Sequence, residues 1–326
     1  MAGQKIISQT DFCRRLGIQY PIIGGAMYPC SNPELVAAVS EAGGIGIVQP
    51  LSLVYAHGYE IEKGFDYIRS LTKKPIGMNV IVEKGSKLYE DRMKTWIDVA
   101  LAHGVRFFIT ALGNPAWVVK KVHEASGIVY HNTTESRWAK RAVTEGVDGL
   151  IAVNERAGGH CGTRSIVALY DELKSFGLPL VAAGGISTKA QIEDALHIGY
   201  EAVQMGTRFV ASKECKAPEE YKQAIVNANA SDIVRTERVT GVPLSVIRNP
   251  YVMQVGLKVD PVSRFLFKFR RTRHLLRLLY NIRAARAFKK TVQGTGSTKD
   301  YWQAGGSVEG IKSIGTVEEI MRELIN

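Results

Sequence analysis

One pattern constrains the fold of this chain more than any other: a short apolar run followed by a helical stretch, repeated eight times. The runs are Pro21–Met27, Gly44–Gln49, Ile76–Val82, Arg106–Leu112, Gly127–Asn132, Gly149–Asn154, Leu178–Ala183 and Ala202–Met205. Most lack polar alternation, as expected of parallel strands buried on both faces. Helical patterns follow near Glu34–Glu41, Tyr59–Leu71, Tyr89–Ala102, Ala116–Ala125, Glu135–Thr144, Ser165–Ser175, Lys189–His197 and Pro218–Ala228. Ser31-Asn32-Pro33 and Asn114-Pro115 place a capping residue before a proline, and Ser187 is positioned to cap the helix before the last strand. Gly43, Gly104, Gly127, Gly146, Gly177 and Gly199 each follow a helical run, as left-handed terminations prefer. Such regular alternation predicts an α/β fold, and eight units favour a closed (β/α)8 TIM barrel over an open Rossmann-like sheet. No Gly-x-Gly-x-x-Gly follows the first strand, which counts against the open sheet.

The last two strands end in glycine, at Gly184-Gly185 and at Gly206 before Thr207. Peptide N–H groups without a neighbouring Cβ approach phosphate oxygens closely, and the loops after strands seven and eight of a barrel are where a phosphate usually docks. Glycine also serves βα turns for geometry alone. Two such turns side by side, with a threonine hydroxyl between them and the next helix, favour a ligand.

After the sixth strand comes Glu155-Arg156-Ala157-Gly158-Gly159-His160-Cys161-Gly162. This loop lets backbone pass close to a flat ligand while projecting one imidazole on the face where barrel enzymes do chemistry. A lone loop histidine more often bonds a backbone carbonyl; flanking glycines and the place after a barrel strand favour catalysis at His160. Cys161 reads as filler, with no base partner in the pattern.

The strand-end Ala-Gly-Gly-His, then Ala-Ala-Gly-Gly-Ile, then Gln-Met-Gly-Thr-Arg-Phe, together resemble the nitronate monooxygenase family, formerly the 2-nitropropane dioxygenases. FMN-dependent enoyl-acyl-carrier-protein reductases and certain NADH:quinone reductases share the fold and motifs. The resemblance covers Gly17 to about Ser212 and, more weakly, a stretch near the C-terminus. It implies FMN as cofactor, with Gly185, Gln204, Met205, Gly206 and Thr207 at its phosphate, Asn79 and Gly158 against the ring system, and Ala26 and Met27 laid beside it. It implies His160 as the catalytic residue. The first strand departs from the family by ending Gly24-Gly25-Ala26-Met27 where many relatives have Gln-Ala-Pro-Met. The sixth offers Val153 and Asn154 in place of a glutamine.

The 326 residues exceed a minimal barrel, so a second unit is expected. We divide the chain into an FMN-binding barrel at 1–213, a smaller, largely helical, lid-like basic domain at 214–291, and a segment at 292–326 returning to the barrel. In the last of these, Gln303 and Gly305 are candidates to line the substrate pocket, and Thr316–Leu324 reads as a closing amphipathic helix. Asn249-Pro250 reads as a turn. The formal charge of +11 is not spread over the chain. Residues 261–299 hold eleven Lys and Arg and no acid, and elsewhere the bases only match the 31 Asp and Glu. Arg273–Lys290 sets apolar residues at helical spacing among those bases, which suits a structural helix packed on the barrel or on a second subunit in a homodimer. It suits next an acidic partner such as acyl carrier protein, or an anionic membrane surface, and least a nucleic acid, since no reading motif accompanies it. The four cysteines, Cys13, Cys30, Cys161 and Cys215, have no metal-ligand spacing and read as reduced thiols; with no signal-peptide pattern and no span-length apolar run, the expectation is cytoplasmic.

The resemblance thus implies an FMN-dependent oxidoreductase that oxidises alkyl nitronates with dioxygen to carbonyl compounds and nitrite. The alternatives are an NAD(P)H-dependent reductase of quinones or enoyl thioesters, and a binding module that retains a flavin without turnover.

Overall fold

The computed structural model describes residues 10–83, 87–239, 241–259, 269 and 301–326. The amphipathic run Arg273–Lys290 and almost all of the basic segment lie outside them. Eight parallel strands close into a barrel in chain order: β1 (Ile22–Gly24), β2 (Ile45–Val48), β3 (Ile76–Ile81), β4 (Phe107–Ala111), β5 (Ile128–Thr133), β6 (Gly149–Val153), β7 (Leu180–Ala183) and β8 (Ala202–Met205). The β1–β8 ladder, with Ile23 opposite Gln204 and Gly24 opposite Met205, completes the ring. The outer layer holds α2 (Pro33–Glu41), α3 (Ile61–Leu71), α4 (Lys87–Ala102), α5 (Ala116–Glu124), α6 (Ser136–Thr144), α7 (Ile166–Leu173) and α8 (Lys189–Ile198). After β8 come the single turn α9 (Thr207–Val210) and α10 (Glu219–Asn227). The last helix, Val317–Ile325, packs against α2 and α8 and fills the gap in the outer ring between them.

Alternate residues of each strand serve two cores. Ile23, Ile45, Ile47, Phe107, Ile109, Tyr130, Ile151, Val181 and Ala202 fill the barrel interior, while Met78, Val80, Phe108, Val129, Leu150 and Val203 pack outward on the helices. A helix not foreseen from the sequence, α1 (Asp11–Leu16), plugs one end of the interior. Thr10 caps its start and Gly17, at φ 65°, ends it. The Phe12 ring meets the edges of Phe107 and Tyr130, each at 5.8 Å between centroids, and burying it contributes about 2 kcal/mol.

Three local expectations need correction. Gly127 is not the left-handed residue after α5; Ser126 is, at φ 56°. Glycine is needed at 127 because a Cβ there would lie 2.6 Å from Val122 Cγ1. The cap of α8 is Thr188, whose hydroxyl accepts from Gln191 N, while Ser187 Oγ is drawn instead to the carbonyl of Ser307, 2.7 Å away. Asn249-Pro250 starts a helix, α11 (Pro250–Val255), with Asn249 Oδ1 accepting from Val252 N; the same dipeptide suits a turn and a helix start. Between α10 and α11 an antiparallel hairpin forms from β9 (Ile233–Thr236) and β10 (Leu244–Ile247).

On the outward face of β5, buried His131 shares a 2.8 Å hydrogen bond with Thr110 Oγ1, and desolvation lowers its pKa to about 4. Above an unfolded-chain pKa of about 6.5 neither state binds the proton, and stability is fully present. Between there and about 4 only the unfolded chain binds it, so stability falls as pH falls, by about 3 kcal/mol in all. Denaturant titrations at pH 7 and 4.5 should show most of this loss in the wild type and a correspondingly smaller loss in His131→Asn. Equal losses in the two proteins would exclude His131 as the cause. None of the described helices is long and apolar enough to cross a membrane.

Candidate active site

The register that pairs Ala183 with Gln204 makes Gly184-Gly185 and Gly206-Thr207 leave the sheet side by side. Gly184 (φ 116°) and Gly185 (φ 77°) adopt the left-handed conformation that side chains disfavour. Both are also packed beneath the loop joining β6 to α7. A Cβ would stand 2.6 Å from Ala157 N at Gly184 and 2.9 Å from Arg156 Cβ at Gly185. On the other side of β8, Gly25 N donates to Met205 O at 2.9 Å, and Met27 Sδ lies 3.2 Å from where a Cβ on Gly206 would be. The barrel thus gathers Ala26, Met27, Gly185, Gln204, Met205, Gly206 and Thr207 along three neighbouring strand ends.

Asn154, buried at the end of β6, ties the β7 tip to the loop that follows β6. Its Nδ2 donates to Gly184 O at 2.9 Å while its Oδ1 accepts from Arg156 N at 2.8 Å. Residues 302–307 return over the same tips. Gly305 N donates to Thr207 Oγ1 at 3.1 Å and Gly306 N to Arg156 O at 2.8 Å, and Tyr221 donates its hydroxyl to Gln303 O. The Thr207 hydroxyl accepts that bond and keeps its own proton to donate. Gly158 turns its bare side to this segment, with a Cβ there only 2.9 Å from Ala304 C, so close backbone packing alone requires glycine at 158. Gln303 Oε1 is 3.0 Å from the Cβ position of Gly159, beside His160, and Gly305 lies against Arg156 and Gly158. The Arg156–Glu309 ion pair (2.9 Å) over this cluster is exposed and adds little stability.

His160 lies on the solvent-accessible side of the loop, yet is crowded enough by protein that desolvation pushes its pKa below the ordinary value. At neutral pH the ring is therefore an uncharged imidazole, able to donate from one nitrogen and accept at the other.

Asn79 stands apart from the loop cluster, on the interior face of β3: its neighbours Met78 and Val80 point outward. By the same alternation Asn132 on β5 and Gln204 on β8 face the interior, beside inward Tyr130 and Ala202. Asn132 Oδ1 and Gln204 Oε1 are buried oxygens with no hydrogen-bond donor. Such orphans are rare in folded proteins and mark a place where a ligand completes the bonding. A flavin ring system, flat and edged with one N–H among its acceptors, supplies the missing kind of donor to one of the two; the residues present fit FMN. Replacing Gln204 with Met should have opposite effects on two measurements. Without FMN the variant should melt higher, because the orphan acceptor is gone, while its affinity for FMN falls roughly tenfold, the loss of about one hydrogen bond. Thermal unfolding with and without FMN, together with a fluorescence titration, checks both signs. Asn132 and Asn154 were missed as site residues, although each is the polar end of an apolar run, the one signal that pointed to them.

The profile of the nitronate monooxygenase family matches residues 10–326. The chain belongs to this family. As a member it is an FMN-dependent oxidoreductase. A probable nitronate monooxygenase from Staphylococcus saprophyticus is 29% identical over 77% of this chain and 81% of its own. A (3aS,4S,5R,7aS)-5-hydroxy-7a-methyl-1-oxo-octahydro-1H-indene-4-carboxyl-CoA dehydrogenase from Rhodococcus jostii is 27% identical over 75% of this chain and 67% of its own. Among solved structures, FabK from Thermotoga maritima superposes with a TM-score of 0.78 at 28% identity, covering 97% of this chain and 94% of the other. The (β/α)8 barrel predicted from the eight repeated units is the fold observed.

Proposed function

We propose that this family member oxidises alkyl nitronates with dioxygen, yielding carbonyl compounds and nitrite. The observation that carries the reading is that the loop bearing His160 packs on the glycine tip of β7, with Ala157 and Arg156 against Gly184 and Gly185. We assign the FMN phosphate to Gly185, Met205, Gly206, Thr207 and the backbone of Gln204, and the ring to Asn79, Gly158, Ala26 and Met27. Gln204 Oε1 and Asn132 Oδ1 add acceptors inside the barrel. When bound, FMN supplies the redox chemistry. His160 orients the substrate by donating a hydrogen bond to a nitronate oxygen, and being neutral it does so without the desolvation cost of a buried cation. Its second nitrogen accepts a proton from the carbon of a neutral nitroalkane that reaches the site in place of the anion. Gln303, beside Gly159, lines the pocket.

A second reading is an NAD(P)H-dependent reductase acting on a quinone or an enoyl thioester. The resemblance to a relative named for a carboxyl-CoA substrate and the basic run at 261–299, suited to an anionic thioester carrier, favour it. Anaerobic mixing separates the two. Loss of flavin absorbance with a nitronate but not with NADH supports the monooxygenase; rapid loss with NADH overturns it. We further propose the three-part division at 213 and 291, a cytoplasmic location, a homodimer, and an acidic partner or anionic membrane surface at 264–290, with no nucleic acid.

A further inference from the structure

We infer that Arg235 is a positioning residue for His160: with its hairpin partner Ser245 it clamps the loop between β6 and α7 at four points. This rests on the reading of His160 as the residue facing the substrate. Arg235 Nη2 donates to Glu155 O at 2.9 Å and to Gly162 O at 3.0 Å, so one nitrogen joins the two ends of the stretch that carries the histidine. Ser245 lies directly opposite Arg235 in the β9–β10 ladder. Its N–H donates to Gly159 O at 2.8 Å and its carbonyl accepts from Gly159 N at 3.2 Å, an antiparallel bridge to the residue just before His160. On the other side of the histidine, Cys161 Sγ and Ser245 Oγ are 3.2 Å apart. One rung of the hairpin therefore holds both ends of the loop and both neighbours of the imidazole.

The loop needs such a clamp. Gly158, Gly159 (φ 69°) and Gly162 give it wide backbone freedom, and a stretch so rich in glycine does not hold a side chain in place by its own preferences. The hairpin has its own small core, Val239, Leu244, Val246 and Val252, packed with Tyr28 from the loop after β1 and Tyr301 before the returning segment, so it offers a rigid support. Among the described residues, the charged or titratable groups on the elements around the imidazole are Glu155, Arg156, Cys161 and Arg164 of its own loop, Arg235, Glu237 and Arg238 of the hairpin, and Tyr28 and Tyr301 packed on it. Burial, rather than any of these, depresses its proton affinity. Loosening the clamp lets the imidazole swing away from the protein that crowds it and relieves that desolvation.

The test uses the flavin-loaded full chain, with Arg235→Ala, Arg235→Lys and, as reference, His160→Asn. Turnover is measured on a simple secondary alkyl nitronate, and the histidine ring signals are followed by NMR with pH, His160 being assigned by its absence from the reference variant. Arg235→Ala is expected to keep its flavin and lose roughly 10- to 100-fold in kcat with a much smaller change in KM, the scale of a catalytic group displaced by about an ångström. Free guanidinium ion at millimolar concentration should restore part of the loss. Arg235→Lys should fall between, because an ammonium is a point charge that does not reproduce the guanidinium fork. The His160 titration alone should move up toward the ordinary histidine value. Unchanged kcat and an unmoved His160 titration in folded Arg235→Ala overturn the inference. If that variant loses its flavin or does not fold, Arg235→Lys decides by the same two readouts: a lowered kcat and a moved His160 titration support the clamp, and wild-type values overturn it. If the wild type oxidises no nitronate, the proposed function fails, while the His160 titration still tests the clamp.

Discussion

Replacing His160 with Asn is expected to leave a folded, yellow protein whose nitronate turnover falls by roughly 10²–10⁴-fold, the range for removing a positioned acid–base group. The yellow colour should persist because all the groups assigned to FMN except Gly158 belong to other strands: Gly185, Gly206 and Thr207 at the β7 and β8 tips, Gln204 and Asn132 within the barrel. Turnover should fall because asparagine presents no imidazole where the loop aims one. The pH profile gives a second reading. Desolvation lowers the His160 pKa, so its neutral form persists below the pH at which a solvated histidine would protonate. The acid limb of kcat/KM should accordingly lie below the ordinary histidine value in the wild type and vanish in the variant. Nitronate oxidation at the wild-type rate in His160→Asn would remove the assignment.

Replacing Gly46 with Ala is expected to have the largest effect on folding, about 4 kcal/mol or more, or to yield no soluble protein. Gly46 lies within β2, paired with Gly24 and Ile76. A Cβ there would stand 2.0 Å from Val36 O and 2.7 Å from Val36 C. Those are backbone atoms in the middle of α2, and no rotamer change removes the clash. Moving α2 away would in turn pull on Asn32, which precedes it. Asn32 Nδ2 donates to Glu214 O at 2.8 Å and its Oδ1 accepts from Lys216 N at 3.0 Å, joining the start of α2 to the chain beyond β8. Gly17→Ala is the control. That glycine has φ 65° but nothing within 4 Å of its Cβ position, so only conformational strain opposes the substitution, at about 1 kcal/mol. Denaturant unfolding of both variants at equal FMN concentration measures the difference, and equal costs would show that α2 yields freely.

The sequence by itself determined where the eight strands and the helices between them lie, because those signals are local. A parallel strand covered on both faces must be apolar along its length, and a helix must be started and stopped by residues within a turn of its ends. It also determined that bare backbone would collect after the last two strands, and that the positive charge is confined to one segment. It marked the loop bearing His160, because glycines around a polar residue at a strand end are visible in the chain itself.

Only the tertiary structure decided which way each polar residue faces and what holds it. Asn132 and His131 are neighbours on one strand, yet Asn132 turns an unpartnered oxygen into the barrel while His131 is buried against the helices. A one-residue difference in register would exchange them, and barrel closure sets the register. Ser187 was lost as a cap to Ser307, which lies 120 positions away. Arg235 reaches carbonyls 80 and 73 positions earlier in the chain, and nothing near Arg235 in sequence announces them. Contacts of that span exist only once the ring of strands has closed and carried the hairpin over the barrel mouth, so their chemistry belongs to the fold rather than to any stretch of sequence.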